Sequence, residues 1–438
     1  MRTLLILSIL VFSLPVSAAD QALPKQLSFR AFAERDARSA KRDDAACASE
    51  ACQGKRLEFR YVAYVGKEIY CYWKEKQEDT QRDFGALARE IEAGITDQTS
   101  PTDYYVALRR WASLFNDGHV NVLLKADHSD IEIYTAPIRV QVFGATTANE
   151  RVFVSEVLDT DAAQVGDEVL AIDGVPVRKA LDEAELATSG STKRMRRFFG
   201  ARRLVDVMGY KLGAKPLKLS LARGTGAPFE VVLQRSIEVA PELGTPPTPA
   251  VTTGAELIKA MVLPGGLGYL RLDAFSGSQS FFLLDQMMRR LADTKGLVID
   301  LRKNGGGDQS GNSIIAKLIS APVTRYTTSE RMSGFLFHAR PTYQFLPSAP
   351  GALFADWHEL RVQPSADRNY LGKPVIALTS NYCFSACDTF TAGLKSNRLA
   401  TVIGEATAGG TGTPLVFDLP VSGHQFRYSV VRGMTAEN

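Results

Sequence analysis

The chain has 438 residues, 45% of them hydrophobic, enough for substantial cores and, at roughly 150 residues per domain, for two to four domains. Its 51 Lys and Arg against 48 Asp and Glu leave a formal charge of +3 with no long basic run, which excludes nucleic acid as an expected partner. Met1 to Ala18 opens with Arg2, continues through an apolar core from Leu4 to Leu14 and closes on Pro15-Val16-Ser17-Ala18, the layout of a cleaved secretory leader. The apolar core is shorter than the ~20 residues that span a bilayer. An exported, periplasmic or extracellular product without a stable membrane anchor is therefore expected. Its five cysteines cannot all pair internally; Cys47 and Cys52 are the best candidates for a small-loop disulfide, with Cys71 as the competing partner.

Residues 19–132 read as a mainly helical region. After a charged, weakly periodic stretch to Thr80, Asp79 to Ile95 places Phe84, Leu87, Ile91 and Ile95 on one helical face. Ser100-Pro101 supplies a cap and a first-turn proline for a second helix, whose buried face runs through Tyr104, Leu108, Trp111 and Phe115 until Asn116-Asp117-Gly118 breaks it. His119 follows that break and precedes Val120-Asn121-Val122, which alternates like a strand. On residue type alone His119 is an ordinary structural histidine.

Over 133–236, strand-like runs surround Val165-Gly166-Asp167-Glu168-Val169-Leu170-Ala171-Ile172-Asp173-Gly174. This is similar to the PDZ-domain pattern, in which a Gly-Asp turn leads into an apolar strand and an Asp-Gly hairpin. PDZ domains bind extended C-terminal peptides by adding a strand to a sheet edge. The usual carboxylate loop has only Val142-Phe143-Gly144 as its counterpart, so a purely structural module stands beside the peptide-binding one. Residues 237–256, with Pro241, Pro246, Pro247 and Pro249, read as a linker.

A new domain is expected over 257–438. Gly268 to Leu272 and Leu297 to Leu301 are apolar strands separated by the helix-compatible Ser280 to Ala292, the order of a βαβ unit. The second strand runs into Asp300-Leu301-Arg302-Lys303-Asn304-Gly305-Gly306-Gly307. Such a loop lets the backbone approach a ligand and aim N–H groups at it. It lacks the Gly-Lys-Ser/Thr ending of a phosphate loop, so oxyanion donors fit better. Further on, Pro374 to Thr379 is a buried-strand run, and Ala386, Phe390 and Leu394 recur at helical spacing, which puts Ser385 near a strand-to-helix turn. There it is either a helix cap or a nucleophile beside unpaired amides. Cys383 and Cys387 are expected as core-packing thiols, and neither a metal site nor a cofactor is expected.

Taken in order, the Asp300 to Gly307 run, Ser385-Ala386-Cys387-Asp388 and Gly404-Glu405-Ala406-Thr407-Ala408-Gly409-Gly410-Thr411-Gly412, behind a PDZ-like segment, resemble the S41 family of serine peptidases. The resemblance implies a ClpP/crotonase-like α/β core for 257–438. In one branch of that family a lysine from the second glycine-rich motif activates the serine, and here that place is Gly410. In the tricorn-like branch the base is a histidine from the N-terminal part, and Asp117-Gly118-His119 looks like that motif. That branch also uses a glutamate near the chain end, which Ala436-Glu437-Asn438 matches; Glu405 is a second acidic candidate. The resemblance thus implies Ser385 as nucleophile, His119 as base, Glu437 as orienter, and the amides of Gly306 or Gly307 with Ala386 as oxyanion hole. The implied partner is a protein or peptide substrate, engaged in part through its C-terminus. The runner-up is a non-catalytic ligand- or peptide-binding protein on the same fold.

Overall fold

A computed structural model of the chain describes residues 28–39, 45–124, 131, 133–208, 215–237, 257–275 and 278–435. The expected leader, the linker from 238 onward and Glu437 lie outside the described residues. Among those described, no helix is long and apolar enough to cross a membrane.

Local sequence explains most helix ends. Pro101–Ser113 begins with a reciprocal capping box in which Ser100 and Asp103 satisfy each other's backbone amides. Phe84–Ala93 is shorter than the spacing from Asp79 predicts, because Gln81 adopts φ +55° and ends the preceding helix Trp73–Thr80, while the Asp83 carboxylate accepts from the Ala86 N–H and starts the next. The stretch read as weakly periodic contains a long helix, Glu50–Ile69, capped by Ser49. Charged residues on its outer side mask the periodicity, yet Phe59, Val62, Val65 and Ile69 are buried along it.

A five-stranded sheet runs in the order Ile258–Leu263, Leu267–Leu272, Leu297–Asp300, Val375–Thr379, Thr401–Gly404. Only its first pair is antiparallel. Because the last three strands are parallel neighbours, the loops leaving their carboxyl ends gather at one end of the sheet, where ligands bind in open α/β sheets. These loops are the three glycine- and serine-bearing motifs singled out from sequence.

Two smaller sheets carry the chain elsewhere. Pro414–Asp418 and Gln425–Ser429 form a hairpin whose second strand pairs with Asn121–Leu123, just past His119. Val431–Thr435 joins Val323–Glu330, which in turn pairs with His358–Val362. This arrangement corrects the expected ClpP/crotonase-like core. Residues 257–435 do not close on themselves: part of their strand set pairs with the N-terminal region, and their apolar faces share its core. The result is an α/β fold whose helical and β-rich regions share a sheet and a core. The βαβ pattern is a local signal and carries no information about where the later antiparallel strands find partners.

A separate antiparallel sheet orders Ile138–Phe143, Arg151–Val157, Glu168–Ile172, Leu217–Ala222 and Phe229–Leu233. Asp173 and Gly174, at φ +50° and +80°, turn Glu168–Ile172 back onto Val175–Pro176, as an Asp-Gly hairpin requires.

Apolar burial divides into three clusters. The first joins the N-terminal helices to Leu415, Phe417, Phe426 and Tyr428. The second fills the 138–233 sheet and takes in Phe384 and Ala408. The third lies about the five-stranded sheet and contains Cys383 and Cys387.

Two disulfides are present, Cys47–Cys52 and Cys383–Cys387, and Cys71 is free and buried. The second corrects the expectation of core-packing thiols: the turn into the helix brings the two Cα atoms to 5.3 Å, within disulfide reach. Burial also pushes the Cys71 thiol up, away from the reactive thiolate. In the folded, unreduced protein no cysteine should react with iodoacetamide, and unfolding should expose one alkylation site, at Cys71. Peptide mapping that ties Cys71 to Cys47 or Cys52 would overturn this pairing.

Candidate active site

Ser385 sits between the strand Val375–Thr379 and the helix Ala386–Ser396 with φ +56° and ψ −119°, a conformation that non-glycine residues rarely hold. Its N–H donates to the Gly410 carbonyl at 2.9 Å. Its side chain makes no capping bond to the helix. Instead, Ser385 Oγ lies 3.0 Å from His119 Nε2. Of the cap and the nucleophile left open by residue type, the cap is not what the structure shows: the hydroxyl points at the histidine and not at the helix amides.

His119 reaches the serine because of how its own turn is anchored. Asp117 Oδ1 accepts the His119 N–H at 2.8 Å, and Oδ2 accepts from Tyr70 Oη at 3.1 Å and Ser429 Oγ at 2.9 Å. The Gly118 N–H donates to Ser191 Oγ at 3.1 Å, which ties the turn to the 138–233 region as well. The imidazole is 3% exposed and packs on the ring of Phe384, centroid to centroid 4.4 Å. Among the described residues Nδ1 has no hydrogen-bond partner. Burial, with the Arg427 charge adding to it, pushes the imidazole down to about 3, so the neutral ring that can accept a proton is strongly favoured.

The glycine loops approach the serine as closely as backbone can. A Cβ on Gly306 would stand 2.7 Å from Ser385 Cβ and 3.1 Å from the Ala386 amide, and one on Gly307 would overlap the Phe275 carbonyl at 1.5 Å. Both residues also have positive φ, +107° and +130°. Only glycine fits either position. The Gly306 N–H is taken by Asn304 Oδ1 at 2.9 Å. Among the described residues, the amides of Gly307 and Ala386 have no protein acceptor. Ala386 opens its helix, where an orphan amide and the positive end of the dipole face the serine.

Gly410 explains the missing lysine. A Cβ there would fall 2.1 Å from Phe384 Cε2 and 2.7 Å from Ser191 Oγ, so the space for a lysine stem is filled. Glu405 is engaged through its backbone, which bonds Thr379 at both N–H and carbonyl. Sequence reasoning missed the supports, Asp117, Ser191 and Phe384. Asp117 and Phe384 adjoin the two motifs and were within reach of a local search; Ser191, in an Arg- and Lys-rich stretch, carried no such signal.

Residues 266–438 match the model of Peptidase family S41. The fold is that of S41-family serine peptidases: the chain is similar to mature CPAF complexed with lactacystin, at 17% identity and a TM-score of 0.70, over 89% of this chain and 92% of that one. A structure of mature CPAF without that addition matches equally, at 17% identity and TM-score 0.70 over 89% and 90%. A CPAF point mutant matches at 16% identity and TM-score 0.69, again over 89% and 90%. Likeness along nearly the whole chain, and not over a detachable C-terminal core, is the finding that replaces the ClpP/crotonase-like expectation.

Protonating His119 requires charging a buried ring, so the acid limb of any pH–rate profile that depends on it should have its midpoint well below 6, and not at the 6 to 7 of an exposed imidazole. The same shift acts on stability: the unfolded state takes up the proton below about 6.5 and the folded state only near 3, so stability should fall as pH drops through that window. Denaturant titrations of wild type and His119→Phe across pH 7 to 4 check this; equal slopes would exclude His119 as a source. Independently, Gly307→Ala should abolish any Ser385-dependent activity or prevent folding, because its methyl group has no space.

Proposed function

We propose that this chain is an exported serine endopeptidase that hydrolyses peptide bonds of unstructured or C-terminal protein segments through an acyl-enzyme on Ser385. The observation that carries this is the 3.0 Å approach of His119 Nε2 to a Ser385 hydroxyl that caps nothing. In this mechanism His119 takes the hydroxyl proton as Ser385 attacks the peptide carbonyl, then returns it to the leaving amine. The amides of Gly307 and Ala386 hold the oxyanion, and loss of one such donor typically costs about 2.7 to 4 kcal/mol of barrier. Gly306 serves by bringing that loop against the serine, its own amide being committed to Asn304. Glu437 is assigned as the orienter that would accept from Nδ1–H, the buried nitrogen that has no partner among the described residues. On this reading the chain belongs with the histidine-using members of the family, and the filled space at Gly410 supports it.

We assign residues 1–18 as the leader, 19–132 as the helical region, 133–236 as the PDZ-like domain, 237–256 as the linker and 257–438 as the peptidase core. The Asp173-Gly174 hairpin and six-stranded antiparallel sheet support the PDZ-like assignment.

Ser385→Ala and His119→Ala should each lower kcat by at least ~10² without loss of fold, and not additively, since the two act as one unit. Labelling by a fluorophosphonate probe should require Ser385. Near-full peptidase activity in a folded His119→Ala protein would sink the histidine mechanism; indifference to both substitutions would favour the binding-protein alternative. For the PDZ-like domain, an unstructured peptide with a free C-terminal carboxylate should be cut faster than its amidated form. Equal rates would reduce that domain to scaffold.

A further inference from the structure

One turn into the helix that Ser385 begins stands Asp388, a carboxylate that the mechanism above does not use. Its Oδ2 accepts the Gly410 N–H at 3.0 Å, and its Oδ1 accepts the Thr407 hydroxyl. The carbonyl of the same Gly410 accepts the Ser385 N–H at 2.9 Å. A continuous path therefore runs from Thr407 through Asp388 and the Gly410 residue to the backbone of the nucleophile. Asp388 also lines, with Asn116, Asp117, Ser191 and Gly410, a cavity of about 500 Å3 that extends to the Trp73–Thr80 helix and to Gly433–Thr435, so one edge of this path faces solvent-sized space and packing alone does not immobilise it.

The ordinary role for an acidic residue in a helix's first turn is to complement the helix dipole, which needs only a negative charge and no particular partner. The geometry does not fit that role alone. Both carboxylate oxygens are directed at the 404–412 loop, and burial pushes the Asp388 carboxyl up, so the site does not favour its charge. The Gly410 peptide needs such an anchor because no side chain can be added there: Phe384 and Ser191 already occupy the space.

We infer that Asp388 is a positioning residue for the nucleophile, holding the backbone of Gly410 at its N–H so that the carbonyl of the same residue fixes the Ser385 backbone in the positive-φ conformation that aims Oγ at His119. The inference rests on the peptidase reading of Ser385. Without the anchor the backbone of Gly410 can turn about its φ and ψ, the Ser385 N–H loses its acceptor, and the hydroxyl and the adjacent Ala386 amide leave their alignment together. A misplacement on the order of 1 Å at a reacting group costs about 10²-fold in rate.

The test compares Asp388→Ala and Asp388→Asn with wild type in fluorophosphonate labelling and in hydrolysis of an internally quenched unstructured peptide. An asparagine can keep the path: its Oδ1 accepts from Gly410 and its amide donates to Thr407 Oγ1. Asp388→Ala should lower kcat and the labelling rate in parallel by about 10², with KM changed by less than about threefold, and Asp388→Asn should restore most of both. If the asparagine variant is as impaired as the alanine one, charge and not the hydrogen-bonded path is what matters, and the inference falls. It also falls if Asp388→Ala labels at the wild-type rate. Should Asp388→Ala not fold, Thr407→Val tests the same path from its other end: a labelling rate reduced about tenfold supports it, and an unchanged rate overturns it. Wild-type protein that neither labels nor cleaves removes the peptidase reading itself, and the role of Asp388 with it; wild-type activity matched by the variants removes only the latter.

Discussion

The site depends on the space taken by one ring. Phe384, the residue before Ser385, is 2% exposed, stacks against the His119 imidazole and closes over the backbones of Gly118 and Gly410, where an added Cβ would lie 2.8 and 2.1 Å from ring carbons. Close packing of this kind leaves no room for adjustment. It requires glycine at both positions, fills the space a lysine would need at 410, and gives the imidazole an apolar wall in place of hydrogen bonds to its faces. The ring belongs to the core of the 138–233 region, while its neighbours Cys383 and Cys387 belong to the core of the five-stranded sheet. The serine is thereby held at a seam between two cores.

The histidine comes from the remaining core, that of the N-terminal helices. Phe115 and Val120 flank its turn and are buried among the N-terminal helices, which share their core with the Pro414–Asp418 and Gln425–Ser429 hairpin. Asn121–Leu123 pairs with that hairpin, and Asp117 bonds Ser429 on it and Tyr70 at the end of the long helix. The same chain segment then continues into Val431–Thr435 beside the serine's helix. The Ser385 hydroxyl and the His119 imidazole, 266 residues apart, approach only when all three cores are assembled. Local loosening at any seam would separate them before it unfolded the chain.

Electrostatics and packing act in the same direction. Burying the imidazole removes its hydration and keeps it neutral, while the amides at Gly307 and at the opening of the serine's helix are positive dipoles without acceptors among the described residues. Placing both on backbone held by glycine makes the positive potential independent of side-chain rotamers. The disulfide across Cys383 and Cys387 brackets the serine covalently and limits how far the turn can open.

Much of this was legible in the residues themselves. Period and punctuation marked Pro101–Ser113, the βαβ strands, the Asp-Gly hairpin and the strand-to-helix turn at Ser385, because capping, turn chemistry and apolar spacing are properties of neighbouring residues. The three motif loops were identified as segments, and the order of motifs pointed to His119 in preference to a lysine. What residue order could not carry was partnership at long range. Asn121–Leu123 pairing with a hairpin 300 residues on, the sharing of cores that corrects the separate ClpP/crotonase-like unit, and the Cys383–Cys387 bond all arise from which surfaces remain to be buried once local elements have formed. The hidden helix Glu50–Ile69 shows the same limit at shorter range, its apolar face being diluted by the charges it shows to water. Sequence alone determined which residues could perform chemistry and where the chain must turn; tertiary structure decided that Ser385 points at His119 instead of capping its helix, because the ring of Phe384 and the Gly410 peptide set its backbone, and both are placed by packing between regions distant in the chain.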